Sequence, residues 1–169
     1  MSAYGQQQPG PYTPPPAVPT VPALPQQIHI AGLVGGALAA LGSLLAWASI
    51  EANGQSESEA GLSGDGLWTL LLGIATIALF GAGMATKKPV LTAAAAAPSL
   101  ITLIFGAINL FDPERVLLAS AEDDGVSEAD AKAILEMVDV SSGFGIYLVV
   151  IGALGALVAG AIAATKLKK

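Results

Sequence analysis

The sequence predicts an all-α integral membrane fold: a four-helix bundle with a disordered N-terminal tail and a short helical hairpin outside the membrane. Three observations lead there. Hydrophobic residues make up 53% of the 169-residue chain and charged residues only 12%, against roughly 25% charged in a soluble domain. Four segments, 28–50, 66–86, 90–111 and 143–165, contain no Asp, Glu, Lys or Arg, and each holds about the 20 residues needed to cross ~30 Å of hydrocarbon. All thirteen Asp and Glu residues fall in the two intervals 51–65 and 112–139 between those segments.

Residues 1–27 form a Pro, Gln, Gly and Tyr-rich tail without a charged side chain. Too few apolar side chains are present to offset the entropy of ordering it, so a disordered cytoplasmic tail is expected. Pro16, Pro19, Pro22 and Pro25 recur every three residues, the repeat of a polyproline II helix, although a solvated linker explains the composition as well. Ala46, Trp47 and Ala48 imitate a signal-peptidase site, but no Lys or Arg precedes the apolar run and the run is long for a signal peptide.

The first span, 28–50, places Gly32, Gly36 and Ala40 on one face, and the fourth places Gly152, Ala156, Gly160 and Ala164 on one face. Small side chains at this spacing let helix backbones meet, the main packing device where lipid is as apolar as leucine. Whether the fourth-span stripe meets the first span or a second subunit is open. Pro98 predicts a kink in the third span. Trp47, Trp68 and Tyr147 are expected at headgroup depth as an aromatic belt, and His29, the sole histidine, at the opposite boundary.

Lys87 and Lys88 separate the second and third spans, and Lys166, Lys168 and Lys169 follow the fourth. By the positive-inside rule both termini are cytoplasmic, in the cell membrane, and the acidic intervals face outward. The first outward loop, 51–65, reads as a flexible connection whose Asp65 caps the second span. The second, 112–142, is better patterned. Asp112 before Pro113 predicts an N-cap and a first short helix, and Ser127 with Asp130 a capping box for a second. Ala131, Ile134, Leu135 and Val138 then form an apolar stripe that needs a partner, with Glu128 and Lys132 paired across a turn. Glu122, Asp123 and Asp124 offer a cation site, weaker than the alternative of a solvated turn.

Chemistry is otherwise sparse. The chain has no cysteine, which excludes disulfide and thiol-redox roles. No ionisable side chain lies inside the spans beyond the boundary histidine, where proton relay or voltage sensing would need one. No catalytic residue, cofactor motif or nucleic-acid surface is evident, so a non-enzymatic interaction or scaffold component is expected. Its partners are the lipid bilayer and either a membrane protein or a second copy of the chain. The alternative is a small channel or transporter subunit whose oligomer lines a pore with Thr69, Thr76, Ser99, Thr102 and Asn109.

A first outward loop closing on Gly64, Asp65 and Gly66, and a last span opening on Gly143, Phe144, Gly145, Ile146, Tyr147 and Leu148, together with the tail, resemble small four-span actinobacterial membrane proteins with a Pro/Gln/Gly-rich N-terminus. The resemblance covers most of the chain after His29 and implies an architecture but no activity.

Overall fold

The computed structural model describes residues 24–52 and 54–167, so the tail's predicted disorder concerns residues almost wholly outside this range. Its last residues are helical: α1 runs Gln26–Ser43. It is followed by strands β1 (Ala46–Ala52) and β2 (Gln55–Ala60) and a 3-10 turn, Gly61–Ser63. Helix α2 (Gly66–Thr86) is followed by α3 (Pro89–Ala94) and α4 (Ala96–Phe111). The short helices α5 (Glu114–Asp123) and α6 (Glu128–Leu135), strand β3 (Asp139–Ser142) and helix α7 (Phe144–Lys166) complete the order. Three helical stretches, α2, the α3–α4 pair and α7, are long and apolar enough to cross a membrane.

The chain is mostly helical but not all-α. The apolar run expected to be one span over 28–50 stops being helical at Ser43, and its last residues form the central strand of an antiparallel sheet ordered β2-β1-β3. Trp47 shows why. Its indole Nε1 donates to the Gly42 carbonyl at 2.9 Å, a second bond to an oxygen of the last turn that also accepts from the Leu45 N–H and that has no full helical partner where the helix ends. The first acidic interval is likewise a hairpin rather than a flexible connection: β1 pairs with β2 from Ala46 opposite Ala60 to Ala52 opposite Gln55, with a bulge near Ala46. Gly54 has φ of 75° in the connecting turn, a conformation that glycine adopts without the steric cost a Cβ brings.

Helices α1, α2, α3–α4 and α7 pack side by side in a ring, α1 and α4 each touching both α2 and α7. Two small-residue faces of α1 make its two contacts. Gly32 lies under the Phe80 ring and Gly36 against Thr76 and Ile77, all on α2. Gly35 and Gly42 face α7, where a Cβ on Gly152 would stand 2.5 Å from the Gly35 carbonyl oxygen and one on Gly145 2.6 Å from that of Gly42. Ala156 meets Gly35 from the same side. Further along α7, Gly160 faces Ala96, at the break between α3 and α4. Pro98 has no N–H for the Ala94 carbonyl, and the helix breaks at Ala95, at that turn.

The bundle is inside-out relative to a water-soluble one. Its buried residues are mostly Gly, Ala, Ser and Thr, with His29, Phe80, Asn109, Ile146 and Val149, whereas Ile30, Val34, Leu71, Ile104, Ile151, Leu154 and Val158 are exposed. At one end lie His29, Lys87 and Lys166; at the other, the sheet and α5–α6 form a cap that carries all thirteen carboxylates. The cap has its own core of Trp47, Ala48, Val116, Leu117 and Leu135, continuous with Ile146 and Val149 of α7.

Candidate functional site

The polar residues suggested as a pore lining are buried in the bundle, and each has a hydrogen-bond partner within the chain. Thr69 on α2 meets Ser43 on α1 at 2.7 Å, and Thr76 on α2 meets Ser99 on α4 at 3.4 Å. Thr102 donates to the Pro98 carbonyl. Asn109 donates to Asp65 at 3.0 Å and to the Phe105 carbonyl at 2.9 Å. His29 is also buried, at the lysine-bearing end of the bundle: its Nδ1 lies 3.3 Å from Thr92 Oγ1, linking α1 to α3. Among the described residues no buried side-chain nitrogen or oxygen lacks a partner. Most of these groups are satisfied across helices and Thr102 by its own helix, as polar residues in an apolar bundle must be.

Asp65 precedes α2, but its side chain makes no capping bond. Its carboxylate takes the Asn109 amide and faces Arg115 at 3.8 Å, tying α2, α4 and α5 together where bundle meets cap. Asp112 does not cap α5 either; Pro113 occupies the cap position. The Ser127 box is present: Ser127 Oγ accepts from the Asp130 N–H at 3.2 Å and donates to the Asp130 carboxylate at 2.6 Å. Lys132 donates to Glu128 at 2.6 Å. This bond, and then the opposite charge, lower the Glu128 pKa and raise that of Lys132.

The apolar stripe of the hairpin divides. Ala131 and Leu135 are buried, Leu135 in the cap core, and Val138 packs on that core, so the chain itself partners most of the stripe. Ile134 is 54% exposed and lines an open cleft of about 250 Å³ with Ile50, Leu117 and Leu135. Glu59 and Asp124 stand at its edge, and a second hollow, reached past Glu57, shares Ile50, Leu117 and Glu59. Glu122, Asp123 and Asp124 are all exposed at the end of α5. Among the described residues no three His, Asp or Glu side chains come together to hold a metal ion.

The aromatic belt is redrawn. Trp47 is fully buried, with Gly61 against its ring, and belongs to the cap core. Trp68 and Tyr147 are exposed, joined at the same end of the bundle by Phe111 and Phe144. Sequence reasoning also missed the hairpin, although the dipeptide Asn53-Gly54 between two short polar and apolar runs is the strongest local signal for one. Comparison with protein-family models, with characterised proteins and with solved structures finds no match.

Proposed function

We propose that the chain is a four-span protein of the cell membrane, with both termini cytoplasmic, that acts without catalysis as an interaction or scaffold component of the envelope through its acidic cap. The exposed Ile, Leu and Val of the bundle form a surface that water would not tolerate at this extent, and they support lipid as its surroundings. The exposed ring of Trp68, Phe111, Phe144 and Tyr147 suits headgroup depth at the cap's base. Helix α1 has 18 residues, about 27 Å at ~1.5 Å per residue, and Leu44 and Leu45 extend its apolar length, which supports its reading as the fourth span. The lysines at the far end favour that end as cytoplasmic.

One observation carries the interaction reading. Two hydroxyl pairs, Ser43 with Thr69 and Thr76 with Ser99, join helices inside the bundle, while the folded cap keeps an open apolar cleft that Glu59 and Asp124 also line. That is a surface for contact. A pore subunit would instead need polar side chains free to replace an ion's hydration. A photoreactive residue at Ile134 in the native membrane tests the proposal: capture of one distinct protein is the expected result, and capture of lipid alone would refute it.

A further inference from the structure

We infer that the cleft of the acidic cap docks an extended basic segment of a partner protein, added as a fourth strand along β2. The inference rests on the interaction reading above and names the chemistry of the partner. The register of the hairpin sets the geometry. Ile50 lies opposite Glu57, and Ala48 opposite Glu59, so both glutamates share the face of the sheet that Ile50 presents to α5 and α6. The result is an apolar floor of Ile50, Leu117 and Ile134 edged by Glu57, Glu59 and Asp124.

No Lys or Arg lines either hollow, and the two cations of the acidic intervals are engaged elsewhere, Arg115 with Asp65 and Lys132 with Glu128. Charge complementarity therefore calls for cations from outside the chain. The floor calls for aliphatic carbon beneath them, which Lys and Arg carry in their stems while the head reaches a carboxylate. The backbone adds the third element. In the order β2-β1-β3, β2 is an edge strand, with Gln55 to Ser58 exposed, so one side of its N–H and C=O groups is open to an incoming strand. Side chains of such a strand face the cleft at every second residue, the spacing of Glu57 and Glu59. The partner segment thus carries Lys or Arg at two alternate positions, flanked at the next alternate position by an aliphatic residue.

The test uses the full chain in nanodiscs of zwitterionic lipid and a labelled synthetic peptide with Leu, Arg, Arg and Leu at alternate positions and Thr between, read by fluorescence anisotropy. Binding is expected, weakened about tenfold by Glu57→Gln with Glu59→Gln, as for loss of charged hydrogen bonds at the edge of a site. A peptide with Gly for both Leu and the variant Ile134→Ser are each expected to bind several-fold more weakly. Glu57 and Ile134 are exposed, whereas Glu59 is half-buried and accepts from the Ser63 hydroxyl, a bond that the glutamine oxygen can keep, and circular dichroism of each variant checks the fold. Absence of binding, or equal binding by the Gly peptide and by all variants, overturns the inference, since attraction to the cap's charge alone then suffices. If Ile134 crosslinks a protein while the peptide does not bind, the docked strand is wrong and the interaction reading survives; crosslinking to lipid alone removes both.

Discussion

Where α1 meets α7, Gly35 and Gly152 bring two backbones into contact and the large side chains Ile151 and Leu154 point away. In the cap, Trp47, Val116 and Leu117 are buried and the carboxylates of α5, Glu114, Glu122 and Asp123, are exposed. One region is packed as a protein in lipid and the other as a protein in water. The difference follows from solvent: lipid gives no reward for burying leucine, so close backbone approach and paired hydroxyls hold the bundle, whereas water rewards burial of the indole at roughly 25 cal/mol per Å². The same substitution logic should therefore act oppositely in the two regions.

The largest expected effect tests the cap. Trp47→Ala removes the largest side chain of its core and the bond to Gly42, a loss of about 3–5 kcal/mol. Hydrogen exchange should rise across β1 and β3 while the α7 amides stay protected; uniform deprotection would show that cap and bundle unfold as one unit. Next is Gly152→Leu, which costs nothing in hydrophobicity but meets the Gly35 carbonyl and the Ala39 backbone nitrogen. Overpacking against backbone should reach about 3 kcal/mol, seen as a lower thermal midpoint in detergent. A neutral result there would place α1 elsewhere.

Asn109→Ala strikes the junction. It leaves Asp65 with only the more distant Arg115 and should cost about 1–2 kcal/mol, with Asn109→Asp worse because two carboxylates then face each other. The smallest effect concerns Glu128 and Lys132, exposed on α6. Glu128 titrates below its ordinary range, so its contribution is complete above that range and is lost as pH falls through the lowered value. Lys132 titrates above its ordinary range, so its contribution holds below that range and is lost as pH rises through the raised value. The helicity of α6 should change slightly at those two extremes, and Glu128→Gln should remove the acid-side change; an unchanged acid limb would assign it to another carboxylate.

Much of this division is written in local pattern. The apolar runs, the lysines at one end and the Ser127 capping box depend on residues within a few positions of one another. The parts that were not legible depend on distance. β1 gains its third strand from Asp139–Ser142, on the far side of helices α2 to α6 in sequence, and Trp47 looks interfacial until that sheet closes over it. The strands Ala46–Ala52 and Gln55–Ala60 lack the alternation that marks a half-buried strand, because Glu57 and Glu59 occupy the inward face. Adjacent Gly35 and Gly36 hid two packing faces in one run: the small residues announce close approach, but only the fold assigns Gly36 to α2 and Gly35 to α7. The burial of His29 was hidden for the same reason, since Thr92 reaches it from another helix.

The central claim is that four helices cross the membrane and leave the cap outside. In this cysteine-free chain, single Cys substitutions at Gln26, Ser58, Thr86 and Asp124, all exposed, can be labelled in intact cells with a membrane-impermeant maleimide. The account predicts labelling of Ser58→Cys and Asp124→Cys in intact cells, and of Gln26→Cys and Thr86→Cys only after permeabilisation. Labelling of Gln26→Cys together with Ser58→Cys in intact cells would contradict it, because α1 would then not cross the membrane.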